Sequence, residues 1–332
     1  MPDLSRTRAH LEEGLGKNLW TGYSLAIGQN RGGEQIAGGD VPDPGTAVPW
    51  FSAGKPITAV GVLRLLESSP ALEPSPMATT FPELAGSHAG TLTLEQILTH
   101  QTGLRIAEKD LRATPEKNLQ FLARLTPSDG KLSPGQAAYD PAGGWWLLGQ
   151  WIERHTGKSW MDFLENDLLR PAGLGELKFH GSAVPIRERR AGQWIQAEPG
   201  AGPGASLIGP ARQLALFYEK LLAGNFLSRF SRERMFRPAR KGKLDATFGH
   251  IVDFGLGVML HRPAAGTAIA PYGFGTHAGQ KSVGHGGARS SIAFADPEAG
   301  FTAAIFLNGR VPETEHQPRM LAVLDRLRSE LA

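Results

Sequence analysis

The sequence predicts a mixed α/β fold of the α+β kind: one antiparallel sheet built from both chain ends and flanked by helices, with a mainly helical region inserted between. Three observations carry this expectation. Runs of β-forming residues lie near the two ends of the 332-residue chain and are scarce in the middle. The middle reads as helices separated by Pro/Gly punctuation. A composition of 41% hydrophobic and 20% charged residues suits a globular chain, and no apolar run approaches membrane-spanning length. The expected division is a sheet-containing part, residues 1–70 and 235–332, and a helical insert, residues 71–234. The functional site is expected at their interface.

Residues 8–15 form a predicted short helix and residues 23–27 a strand. A turn at 29–33 leads into a weaker strand at 34–37, completing an N-terminal hairpin. After a proline-bearing loop, Ile57, Val60, Val62, Leu63, Leu65 and Leu66 predict a mostly buried helix over 52–67. Further helices are predicted at 92–100, 115–124, 145–155, 159–169 and 210–222. Strands return at 254–260, 290–295 and 301–307, the last two joined by the turn Asp296-Pro-Glu-Ala-Gly300. The C-terminus reads as a helix with Leu321, Leu324, Leu327 and Leu331 on one face.

Several function classes are excluded or disfavoured. A net charge of +3 with no basic patch gives no reason to expect a nucleic-acid partner. Cysteine is absent, which removes disulfides, thiol catalysis and cysteine-ligated metals. Ten histidines include no H-E-x-x-H pair, so neither a metal nor another cofactor is expected. The N-terminal residues lack the apolar core of a signal peptide, so a soluble cytoplasmic protein is the expectation. Trp50-Phe-Ser-Ala-Gly54 lacks the first glycine of the G-x-S-x-G elbow. Gly157-Lys-Ser159 lacks the upstream glycine of a P-loop, and Gly200-Ala-Gly-Pro-Gly204 reads only as a loop.

One pattern carries chemistry. In Ser52-Ala-Gly-Lys55, a spacing of three places hydroxyl and ammonium on one helix face. Burial would lower the lysine's proton affinity, and the helix N-terminus would favour an attacking alkoxide. On spacing alone, an N-cap serine with a solvated lysine explains the motif better. Lys55, however, is the only charge between Asp43 and Arg64, and an apolar helix follows it.

Collinear with this motif are Trp50-Phe-Ser-Ala-Gly-Lys-Pro-Ile-Thr-Ala59, Leu92-Thr-Leu-Glu-Gln-Ile-Leu-Thr-His-Gln-Thr-Gly-Leu104, Tyr139 with Gly144-Trp-Trp-Leu-Leu-Gly149, Phe163 to Leu174, and Gly284-His-Gly-Gly-Ala288. Together they resemble the serine β-lactamase and penicillin-binding-protein superfamily over nearly the whole chain. The motif forms are most like those of class C β-lactamases and of β-lactamase-like carboxylesterases and acyltransferases. The resemblance implies a β-lactamase/transpeptidase-like fold, Ser52 as nucleophile, and Lys55 with Tyr139 as joint proton carriers. It also implies an oxyanion hole from the amides of Ser52 and Ala288. His285, Gly286 and Gly287 would line the substrate, with Trp145 as a candidate wall of an acyl pocket. A buried loop tyrosine at 139, a backbone-bonded strand histidine at 285 and a core tryptophan at 145 remain open as the plainer alternatives.

Two departures bear on substrate. The Tyr-x-Asn motif of β-lactamases is here Tyr139-Asp-Pro141, and Lys-Thr-Gly is His285-Gly-Gly287. The side-chain amide, the permanent cation and the hydroxyl that would hold an acyl amide and a carboxylate are gone. The expectation is a serine hydrolase acting through an acyl-enzyme on a small carboxylic ester. Alternatives are a biosynthetic acyltransferase, residual β-lactamase or D-amino-peptide hydrolysis, and a catalytically inactive ligand-binding homologue. Oligomeric state is left open.

Overall fold

Gly22-Tyr-Ser-Leu-Ala-Ile27 alternates small with large side chains, and Phe301-Thr-Ala-Ala-Ile-Phe-Leu-Asn308 is a run buried throughout; the two pair at the heart of the sheet. The structure, a computed structural model, describes residues 2–263 and 270–331. Its central sheet has six strands: β1 (Gly22–Ile27), β2 (Gln35–Gly39), β3 (Met259–Leu260), β4 (Val283–Gly287), β5 (Ser291–Asp296) and β6 (Phe301–Asn308). All neighbours run antiparallel in the order β2-β1-β6-β5-β4-β3. The N-terminal hairpin therefore adds to the free side of the C-terminal meander, as expected of a sheet drawn from both chain ends.

Five helices matter for the site: α1 (Ser5–Gly16), α2 (Lys55–Ser68), α3 (Gly143–Thr156), α4 (Ala211–Ala223) and α5 (Glu313–Leu331). On one sheet face Tyr23, Leu25, Ile27, Phe294 and Ile305 pack against Leu11 of α1 and Val323, Leu324 and Leu327 of α5. The opposite face carries Ala26, Ala293, Ala295 and Ala304, small residues that let α4 lie close. Thr302 on that face donates to the Ala215 carbonyl of α4 at 2.9 Å. α4 falls within residues 71–234 yet packs on the sheet, so the second layer is drawn from the middle of the chain.

Some elements differ from expectation. Only Met259 and Leu260 of 254–260 join the sheet, because Gly257 takes φ +75° and breaks the extended run. The helix expected over 92–100 is the short Leu94–Leu98, held by a capping box between Thr93 and Gln96. Residues 159–169 start helical and pass into wider π-type turns over Phe163–Leu169. Leu321 is half-buried, and Met320 and Val323 take its place, since 320, 323, 324, 327 and 331 form the true inward row. Two hairpins, Arg187–Arg190 with Gln193–Gln196 and Leu244–Asp245 with His250–Ile251, were not anticipated. Among the described residues no helix is long and apolar enough to cross a membrane.

Ile305 is fully buried at the centre of the face covered by α1 and α5. Ile305→Ala is expected to cost about 2–5 kcal/mol in urea unfolding, the range for truncating a closely packed aliphatic side chain. A loss under about 1 kcal/mol would mean that this face is loosely packed.

Candidate active site

The chain enters the site through a two-residue bridge, Val48–Pro49 with Ile208–Gly209. Trp50 is pinned there: its amide donates to Leu207 O at 2.8 Å and its indole to Gly209 O at 2.9 Å. Phe51 then adopts φ +50°, a left-handed conformation costly for a bulky side chain, and opens the tight turn Phe51–Gly54. Ser52 stands in this turn, partly exposed, one residue after the strained position. Ser291 of β5 donates to the Trp50 carbonyl at 2.7 Å, tying the turn to the sheet.

Lys55 begins α2 and is completely buried. Its ammonium has three N–H donors and finds three acceptors: Ser52 Oγ at 3.1 Å, Pro141 O at 2.9 Å and Gly204 O at 2.9 Å. The Tyr139 ring lies 5.5 Å from Nζ and the Trp145 ring 4.9 Å. Desolvation pushes the Lys55 pKa down to about 7, against the opposing pull of the Asp140 and Glu108 carboxylates.

Tyr139 precedes α3, and its phenol approaches the Ser52 hydroxyl. Burial raises its pKa above the ordinary tyrosine value, and the contact with Ser52 opposes that rise. The neighbouring Asp140 turns inward and accepts the amides of Ile106 (2.9 Å), Gly143 (3.2 Å) and Gly144 (2.6 Å). Asp140 thus fixes the loop that aims the Pro141 carbonyl at Lys55.

β4 runs beside the Ser52 turn. A Cβ on Gly287 would strike the Trp50 carbonyl and the Ser291 hydroxyl, so only glycine allows this approach. The strand ends in a tight turn closed by Ser290 N to Gly287 O at 2.9 Å, with Ala288 at φ +37° and Arg289 at φ +60°. Arg319 of α5 holds this turn from behind. Its guanidinium donates to Arg289 O (2.8 Å), Gly309 O (2.7 Å) and Leu19 O (2.8 Å). Among the described residues the Ala288 amide has no acceptor.

His285 is 1% exposed, with Nδ1 2.6 Å from Gly286 O. Desolvation and the Lys55 charge lower its pKa to about 3, so the ring is neutral. It packs near Tyr139 and Phe254, with ring centroids 5.9 and 6.2 Å away. Trp145 is also 1% exposed and covers Lys55 from inside. That placement corrects its expected position on an acyl pocket: Trp145 lies in the core, against Lys55 and His100. Ser52, Lys55, Tyr139 and the 285–288 segment do converge in one place.

The family profile described as Beta-lactamase matches residues 16–327. The chain belongs to the β-lactamase family. Members of that family are serine hydrolases, and in this chain Lys55 Nζ lies 3.1 Å from Ser52 Oγ and 5.5 Å from the centre of the Tyr139 ring. Solved structures with the same fold include a penicillin-binding-protein homologue from Caulobacter crescentus, with a TM-score of 0.79 at 20% identity, covering 98% of this chain and 97% of that one. A hydrolase with promiscuous acyltransferase activity aligns with a TM-score of 0.78 at 16% identity, over 96% and 97% of the two chains. A family VIII carboxylesterase aligns with a TM-score of 0.72 at 20% identity, over 98% and 97%. No curated protein sequence matches significantly.

Within this β-lactamase-family site, sequence reasoning missed Asp140, Glu108 and Gly204. The segment 200–204, read as a plain loop, delivers the Gly204 carbonyl to Lys55, while Thr58 donates to Pro203 O at 2.7 Å. The cue was the glycine density itself. A Cβ on Gly204 would lie 2.8 Å from both Lys55 Nζ and Trp145 Cβ. Gly204→Ala is therefore expected to destabilise the fold by about 1–3 kcal/mol in urea unfolding, as overpacking does. An effect within about 0.5 kcal/mol would mean that the loop gives way freely.

Proposed function

We propose that the protein is a serine hydrolase of small, uncharged carboxylic esters, working through an acyl-enzyme on Ser52. The observation that carries this reading is the hydrogen-bond set of Lys55. As a neutral amine it has two N–H groups, which suit Pro141 O and Gly204 O. Its lone pair is then left facing Ser52 Oγ, ready to take the serine proton.

In this reading Ser52 Oγ attacks the ester carbonyl carbon as its proton passes to Lys55. The amides of Ser52 and Ala288 receive the oxyanion, each donor worth about 2.7–4 kcal/mol in comparable hydrolases. The C–O bond to the alcohol breaks, and the departing alkoxide takes from Lys55 the proton that Ser52 gave up. Water then attacks the acyl-enzyme along the reverse proton route, releasing the acid and restoring Ser52. Tyr139, held above its ordinary pKa, serves as a neutral hydrogen-bond donor in this scheme, and Lys55 as the base.

The ester assignment rests on what surrounds these groups. His285 is neutral and buried, so the third motif supplies no fixed cation for a carboxylate. At position 141 a backbone carbonyl occupied by Lys55 replaces a side-chain amide. The family VIII carboxylesterase and the hydrolase with acyltransferase activity, both of this fold, agree with ester chemistry. The second favours acyl transfer to an alcohol or amine as the alternative to hydrolysis.

A fluorophosphonate or a short-chain p-nitrophenyl ester should leave an adduct on the wild type, read by intact mass, and none on Ser52→Ala. Labelling that persists in the variant would rule out Ser52. Lys55→Ala and Tyr139→Phe should each slow acylation by at least ~100-fold, and a near-normal rate in either removes that residue from the scheme.

Only neutral Lys55 can accept a proton, so the acylation rate should rise with pH as one group deprotonates, with its midpoint near pH 7. The same sign governs stability. Between pH 7 and the ordinary lysine value of 10.5 the unfolded chain holds a proton that the folded chain lacks, so this group makes stability rise with pH there. A flat profile from pH 6 to 8 would exclude Lys55 as the base.

A further inference from the structure

Tyr139 is gripped more completely than its position in a loop would require, and one buried ion pair reaches every part of the grip. Arg240 and Asp245 are both fully buried, with Nη1 2.9 Å from Oδ2. The other carboxylate oxygen of Asp245 accepts the amides of Tyr139 (3.0 Å), Thr247 (2.8 Å) and Phe248 (3.1 Å). Thr247 in turn donates its hydroxyl to the Tyr139 carbonyl at 3.0 Å. Both backbone polar groups of Tyr139 are thereby fixed by the 245–248 loop. Its ring is fixed as well, lying between His100 at 4.4 Å and Phe248 at 4.8 Å between centroids, each tilted by about 30°.

The two flanking rings trace back to the same pair. Phe248 hangs from Asp245 by its amide. His100 sits on the other side with its carbonyl 3.5 Å from Arg240 Nη1 and its Nδ1 accepting the Asp140 amide at 3.0 Å. Arg240 also donates from Nε and Nη2 to Val252 O, at 3.1 and 2.8 Å, and stacks on Phe254 at 4.3 Å. No part of the pair touches Ser52 or Lys55 directly.

We propose that Arg240 and Asp245 are positioning residues for Tyr139, setting the place of its phenol against Ser52 through the 245–248 loop and the His100–Phe248 sandwich. A buried ion pair is weak support for stability, because its desolvation offsets much of its attraction. Its use here is geometric: a carboxylate can accept three amides at once, and a guanidinium can bridge two loops in one plane. This inference rests on the reading of Tyr139 as part of the proton-transfer machinery.

The test is a kinetic double-mutant cycle on the full chain, measured by acylation with a short-chain p-nitrophenyl ester and corrected by active-site titration. Asp245→Asn keeps an oxygen acceptor but removes the charge that orients the loop. It is expected to lower the acylation rate by about 10- to 100-fold with KM changed less than about threefold, the scale for ångström misplacement of a reacting group. The deciding result is the Asp245→Asn/Tyr139→Phe double variant, which should be no slower than Tyr139→Phe alone. Multiplying losses would show that Asp245 acts on general stability and would overturn the proposal. Thr247→Val, which removes only the hydroxyl bond to the Tyr139 carbonyl, gives the same test if Asp245→Asn does not fold. It should lose about three- to tenfold in the Tyr139 background and nothing more in Tyr139→Phe. If Tyr139→Phe itself acylates normally, the reading of Tyr139 fails and this proposal falls with it. A loss in Tyr139→Phe with none in either partner variant overturns this proposal alone.

Discussion

Removing an ammonium from water costs several kcal/mol even after the protein relaxes around it, and the site is organised around meeting that cost at Lys55. Three acceptors arriving from three chain segments satisfy its donors. Each had to be brought there by a separate device: the strained Phe51 turn for Ser52, the inward Asp140 carboxylate for Pro141, and the glycine-rich loop for Gly204. Two aromatic rings close the remaining directions. Desolvation weakens the proton's hold while Asp140 and Glu108 keep it from being lost altogether. The outcome is a pKa near neutrality, where one group can both take and return a proton.

How much of this was legible in the sequence depends on the range of the interaction. Local signals worked well. The strand-forming runs at 23–27 and 301–307, the turn at 296–300 and the apolar run after Lys55 each predicted its element, because each is decided by neighbours a few residues away. Ser52, Lys55 and Tyr139 were legible as a set through collinear motifs. Features decided by distant partners were not. Nothing near residue 204 says that its carbonyl will meet a lysine 149 positions away. Likewise, the spacing that places Trp145 on a helix does not say which wall it will face. Asp245 and Arg240 are ordinary charged residues in a loop until the fold encloses both of them.

The two departures from the β-lactamase pattern also look different in three dimensions. Pro141 removes a side-chain amide, but its carbonyl takes up one of the lysine's three bonds, so the hydrogen-bond set of Lys55 stays complete. His285 removes a cation, and burial keeps the replacement neutral. In the proposed mechanism both changes leave the proton-transferring groups in place and alter the positions that would meet a substrate's charge. On that proposal, substrate preference and reactivity are carried by different atoms of the same short motifs, in keeping with a fold that hosts several functions.

Backbone strain follows the same division. Among the described residues, eight non-glycine residues have positive φ, and Phe51, His100, Ala288 and Arg289 are four of them. These four lie in the three segments that carry or flank the Ser52–Lys55–Tyr139 cluster, and each segment is held by a partner outside it. Ser291 secures the turn at Phe51, Arg240 lies at the His100 carbonyl, and Arg319 holds the Arg289 carbonyl. Such conformations cost roughly 1–3 kcal/mol apiece and persist only where the surroundings over-determine them. The supporting residues come from β5, the 240–248 segment and α5, all distant in sequence from the positions they hold. The fold's contribution to chemistry is thus to spend stability gained in the sheet and its covering helices on a backbone geometry that no local sequence would adopt.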